Sequence, residues 1–188
     1  MNWLKTVLVA LLLTCIAGSV QAMPVTIIGD ERCVSMEQVV DDDEVTWFAR
    51  TGAGHDLYWQ VRDNIPLGAP VVYALGVNDL NPMACVAALA DLVDNGVVVY
   101  FVTVAPVHNG YAAHKGHAVI DDDVQEFNTI VLANLPHGVA VIDLHTYMTG
   151  IDYGIDDGLL FDDETSEQMF AYIRDAIGAH VITMYAIV

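Results

Sequence analysis

Short apolar runs rich in β-branched residues recur along the chain, at residues 25–28, 45–49, 70–75, 97–104 and 138–144, and segments with helical signals separate them. This alternation constrains the fold more than any other feature. Strands joined through helices make βαβ units, and such units build a parallel sheet with helices on both faces. The run 97–104 is almost unbroken by polar residues, as a central strand covered on both sides requires. The expected architecture is a single α/β domain, a three-layer α/β/α sandwich of about five parallel strands. Helices are expected over residues 35–42, 55–64, 81–93, 121–135 and 164–178. Pro82 suits a first helical turn, and Asp121, Asp122 and Asp123 are favourably placed at the positive end of theirs. The apolar end, residues 181–188, reads as an added strand or as an extension of the last helix.

The first 22 residues have another logic. Lys5 supplies a positive start, residues 6–18 are apolar, and Val20-Gln21-Ala22 offers small residues at cleavage positions. The apolar run is short for a spanning helix, which needs about 20 residues. Residues 1–22 are therefore read as a cleaved signal peptide and residues 23–188 as one exported domain, secreted and free of the membrane after cleavage. The sequence does not specify an oligomeric state.

Charge narrows the partners. The chain carries 25 acidic residues against 6 basic ones, a formal net charge of −19. Phosphate backbones and anionic lipid surfaces both demand clustered Lys and Arg, so nucleic acid is excluded as a partner. The acidity fits a soluble exported protein.

Export makes a disulfide between Cys33 and Cys85 chemically feasible, since both are expected just past strand ends on one edge of the sheet. Two half-buried thiols are the alternative. His108, His114 and His117 share one loop, but their spacing fits no standard zinc pattern. The sequence assigns no metal and no cofactor.

Four loops gather the remaining chemistry. Val25-Thr26-Ile27-Ile28 stops at Gly29-Asp30-Glu31, a strand, a tight turn and a helix start. Gly52-Ala53-Gly54 follows the second strand, Gly76-Val77-Asn78-Asp79 follows the third, and Asp157-Gly158-Leu159-Leu160 precedes the last helix. In an open α/β sheet ligands sit beyond the carboxyl ends of the strands, where the first three loops converge.

In order and spacing these four blocks resemble the SGNH (GDSL-type) hydrolases and esterases. That family has Gly-Asp-Ser after the first strand, a glycine after the second, Gly-x-Asn-Asp after the third, and Asp-x-x-His before the last helix. The resemblance covers essentially the whole mature chain and implies an SGNH/flavodoxin-like sandwich. It also implies a mechanism in which serine attacks, histidine takes its proton, aspartate orients the histidine, and N–H donors hold the oxyanion. By this resemblance the oxyanion glycine matches Gly52 (Gly54 in a second register), the oxyanion asparagine matches Asn78, and the triad acid matches Asp157. Glu31 stands at the nucleophile position and Leu160 at the histidine position.

Leucine cannot move a proton, and loss of one triad member costs orders of magnitude in rate. The resemblance therefore implies a protein that has lost ester hydrolysis and serves as a ligand-binding or interaction module. Its ligand would be a small acylated or carbohydrate molecule in the former cleft. The alternative is an active hydrolase of acyl or acetyl esters, including those of carbohydrates, in which Glu31 or His55 works in a rearranged site. His55 follows the Gly52 turn and is expected at the pocket rim or as a surface or helix-capping residue. Ser35 lies one helical turn beyond Glu31, displaced from where a nucleophile would stand. Glu31 and Asp157 are expected to approach each other. Such a pair shares a proton, holds a cation, or plugs the cleft by pairing with Arg32 or another base. Two acids and one asparagine undersupply a calcium shell, which favours the first and third.

Overall fold

The computed structural model describes residues 23–109 and 118–186. Residues 1–22, where a signal segment is expected, and His114 and His117 lie outside the described residues.

A five-stranded, wholly parallel sheet organises the chain. Its strands are β1 (Val25–Gly29), β2 (Val45–Ala49), β3 (Val71–Ala74), β4 (Val99–Val102) and β5 (Val139–Ile142), in the order β2-β1-β3-β4-β5. Alternation along each strand sorts side chains to two faces. On one face Ile28, Tyr73 and Phe101 pack against α2 (Asp56–Val61), α3 (Pro82–Asp94) and α4 (Asp121–Ala133). On the other, Ile27, Val72 and Tyr100 pack against α1 (Glu31–Val39), α5 (Leu144–Thr149) and α6 (Asp163–Ala186). Two cores on two sides of one sheet make the expected three-layer sandwich. Among the described residues no helix is long and apolar enough to cross a membrane.

The elements differ from the sequence reading at their ends. Helix α1 begins at Glu31, four residues before the expected start, because Asp30 caps it and its carboxylate accepts from Arg32 N–H at 3.1 Å. Helix α5 was not expected. Asp143 starts it by accepting from Thr146 N–H at 3.1 Å. The last helix continues to Ala186, so residues 181–186 extend it and add no strand.

Cys33 and Cys85 both remain free thiols. They are not on one edge. Cys33 belongs to the α1 side of the sheet and Cys85 to the α3 side, so the sheet stands between them.

The strand order fixes where a ligand can enter. From β1 the chain steps to β2 on one side, then returns across β1 to β3 and continues outward. The crevice between the carboxyl ends of β1 and β3 is the switch point at which open α/β sheets bind ligands. Glu31 leaves one of those ends and Asn78 follows the other.

Candidate functional site

At the switch point the chain turns sharply after each strand. Gly76 has φ +153°, and a Cβ there would collide with Val104 and Phe127, so the turn out of β3 requires glycine. Gly52 has φ +72°, which bends the loop after β2 toward the same crevice.

The third block braces the second. Asn78 Nδ2 donates to Ala53 O at 3.0 Å, and Asp79 Oδ2 accepts from His55 N–H at 2.8 Å. His55 is therefore not a rim residue. It is 2% exposed and stacks between Tyr73 and Phe127, with ring centroids 5.9 and 5.8 Å away. Its Nδ1 shares a 2.8 Å hydrogen bond with Tyr73 Oη. Its Nε2 stands 3.3 Å from Asp79 Oδ1 but lacks hydrogen-bond alignment. Burial lowers the pKa of this imidazole, with Asp79 opposing.

Braced in this way, two donors meet on one atom. Gly52 N–H donates to Glu31 Oε2 at 3.0 Å, and Asn78 Nδ2 donates to the same oxygen at 2.8 Å. The two groups matched by resemblance to oxyanion donors thus converge as an oxyanion hole must. They hold a carboxylate oxygen of the chain itself. Gly54 takes no part in this convergence.

Glu31 is 8% exposed and lies in the first turn of α1, where a negative charge meets the positive end of the helix. It does not pair with Arg32. The Arg32 guanidinium turns into the protein, donating to Ala105 O at 2.8 Å, Leu159 O at 2.9 Å and Pro106 O at 3.1 Å, above the Phe161 ring. This buried clamp ties α1 to the loop carrying Asp157 and Leu160. Its only signal in the sequence was a lone base inside an apolar strand-turn-helix junction.

Asp157 shapes its own loop. Its Oδ1 accepts from Leu160 N–H at 2.7 Å and from Leu159 N–H at 2.9 Å. Leu160 lies beside it, so Asp157 and Leu160 enter the same cleft as Glu31, Gly52 and Asn78, a space of about 410 Å³. Ser35 also lines it, but its hydroxyl donates back to Glu31 O at 3.2 Å. Asp30 is wholly internal. Burial pushes its carboxyl up to about 7, against the opposing pull of Arg32. Among the described residues no group of three or more His, Cys, Asp or Glu is arranged to hold a metal. His108 lies in the described part of its loop, where its N–H donates to Gly158 O at 3.0 Å.

Chemically the site offers donors, two carboxylates and a leucine. Among the described residues that line the cleft there is no histidine.

No family model matches the sequence, and a search of curated proteins finds none similar to it. Solved structures do share its fold. A protein from Streptococcus pneumonia superposes with a TM-score of 0.66 at 14% identity, over 85% of this chain and 86% of that one. An acetyl xylan esterase gives 0.60 at 16% identity, over 81% of this chain and 98% of its own. A lipolytic protein of the G-D-S-L family from Veillonella parvula gives 0.57 at 14% identity, over 80% and 95%. At these identities the likeness is one of fold, and the fold is that of the GDSL esterases.

Proposed function

We propose that this is a secreted protein of esterase fold that has given up hydrolysis and acts as a ligand-binding or interaction module. One observation carries the reading. The oxyanion donors, Gly52 N–H and Asn78 Nδ2, are both spent on Glu31 Oε2. A tetrahedral oxyanion would have to displace a carboxylate tethered in place, at high effective concentration. Leu160 at the base position supports the same conclusion, because activity would require two separate reversals. The cleft remains open, so binding survives where chemistry does not. Fold neighbours that include an acetyl xylan esterase and G-D-S-L lipolytic proteins make acylated or carbohydrate ligands the class to test first.

The test uses residues 23–188 and short p-nitrophenyl esters. Wild type is expected to be silent. A Glu31→Ser, Leu160→His double variant frees the donors, restores a hydroxyl and puts an imidazole near Asp157, and it is expected to gain turnover. Wild-type turnover that disappears in Glu31→Gln would overturn the proposal.

A further inference from the structure

The atom that closes the oxyanion hole also changes what the cleft can attract. In a working esterase the two donors meet a developing negative charge. Here they are already satisfied, and the remaining feature is a carboxylate. Both donors take Oε2. Oε1 accepts no hydrogen bond from any described residue and is not among the fully buried orphan atoms, so it keeps contact with the cleft.

Among the described residues Glu31 makes no ion pair, although the Arg32 guanidinium lies near enough to be felt electrostatically. The two partners of Glu31 Oε2 are neutral amides. Each arginine of the described residues is spent elsewhere: Arg32 on three carbonyls, Arg50 on Gln60 and Asp56, Arg62 on Asp63 and Asp91, and Arg174 on Asp42 and Met23 O. None of the described residues lining the cleft is basic. A carboxylate nine-tenths buried beside neutral donors gains most from a cation that can also donate a hydrogen bond. The other walls suit a small polar body. Ser35, Gln38 and Thr51 supply hydrogen-bonding groups, and Val34 and Leu160 supply apolar surface.

We propose that the cleft binds a primary ammonium group carried on a hydroxylated molecule, of which an amino sugar is the simplest class, with Glu31 Oε1 as the anionic acceptor. This deepens the binding-module reading and rests on it. The substitution at the nucleophile position then has a positive role, since it converts a site for negative charge into one for positive charge.

The experiment is calorimetric titration of residues 23–188, in about 150 mM salt to screen the general acidity, with a glucosamine tetramer and with a glucose tetramer of the same linkage. The cationic oligomer is expected to bind wild type and the neutral one not. Glu31→Gln keeps an acceptor but loses the charge, and is expected to bind about tenfold more weakly or worse. Asp94→Asn removes one exposed charge at the opposite edge of the sheet and is expected to bind as wild type does. Circular dichroism reports folding. If Glu31→Gln does not fold, Glu31→Ser takes its place with the same expected loss. Unchanged binding in the Glu31 variant, equal binding of the neutral oligomer, an equal loss in Asp94→Asn, or no binding at all would overturn the proposal. The ester assay above separates the two readings. Wild-type turnover overturns the retired-enzyme reading, while a silent enzyme that ignores the cationic oligomer overturns the ammonium site alone.

Discussion

Asn78 Nδ2 donates to Glu31 Oε2 at 2.8 Å and to Ala53 O at 3.0 Å. One amide group thus spends both its hydrogens joining the loops after β1 and β2 across the switch point. Asn78→Ala leaves the Glu31 oxygen with Gly52 N–H and removes the side-chain donor from Ala53 O. The first loss involves a charged acceptor and the second a neutral one, so the expected destabilisation is about 3 kcal/mol. The urea midpoint measures it, with the slope unchanged. In a double-mutant cycle with Glu31→Gln the two changes are expected to be non-additive by about 1 kcal/mol. Strict additivity would mean that the charge on Glu31 adds nothing to the contact.

The Arg32 clamp supports the same site from behind. Its planar fork reaches three carbonyls on two segments, Ala105 and Pro106 on one and Leu159 on the other. Arg32→Met keeps much of the apolar stem but removes the guanidinium from above Phe161 and leaves those carbonyls without their side-chain donor. The expected cost is about 4 kcal/mol, from roughly 1–3 kcal/mol for each buried group left unpaired, less what water restores. Arg32→Lys rescues only part of it, because one ammonium cannot reproduce the fork. Hydrogen exchange supplies a local readout. The amides of Leu159 and Leu160, held by Asp157 Oδ1, are expected to exchange faster in both variants. Exchange unchanged there would show that the loop holds itself without the arginine.

These two residues also show what could be read in advance. Strand alternation is a local signal, and five apolar runs separated by helical segments specified the sheet, its parallel sense and its two covered faces. The four loops were legible as well, because turn chemistry and motif spacing lie on the chain. What could not be read was direction. Nothing local says that the Arg32 side chain turns into the core while Glu31, one residue earlier, turns toward Asn78. That split follows from α1 starting at residue 31, which depends on Asp30 as cap. His55 was misjudged for a related reason. A histidine after a glycine turn resembles a surface residue until Tyr73, Phe127 and Asp79 are brought from three other segments to enclose it.

The cysteines provide a direct check on the layers. Cys33 and Cys85 lie on opposite faces of the sheet and both are buried, and burial raises the pKa of each thiol. A disulfide requires Cα atoms within about 7 Å, which an intervening sheet forbids. Residues 23–188 are therefore expected to run identically with and without reductant. Ellman's reagent should find no thiol in the native protein and both thiols in urea. A bridge between Cys33 and Cys85 in a non-reducing peptide map would overturn the layer assignment.

Asp30 predicts an unusual pH dependence. Burial lifts its carboxyl from an ordinary 3.8 to about 7 in the folded state. The sign follows from proton binding. Above the unfolded value the unfolded chain releases this proton while the folded chain retains it, so folding is favoured by acid. The stability this group supplies falls as pH rises from about 4, and the loss levels off above about 7, where the folded carboxyl also ionises. His55 acts oppositely. Its pKa is lowered by burial, so the folded chain resists a proton that the unfolded chain accepts, and stability falls as pH drops below the ordinary histidine range. The two effects overlap in wild type and separate in a difference. Asp30→Asn keeps a competent helix cap and removes the titration, while His55 is present in both proteins and cancels. The stability of Asp30→Asn relative to wild type is expected to grow by about 3 kcal/mol between pH 5 and pH 8. Urea titrations across that interval measure it. A flat difference would mean that Asp30 titrates in the folded chain as it does in water, and that the carboxyl beneath Glu31 is solvated.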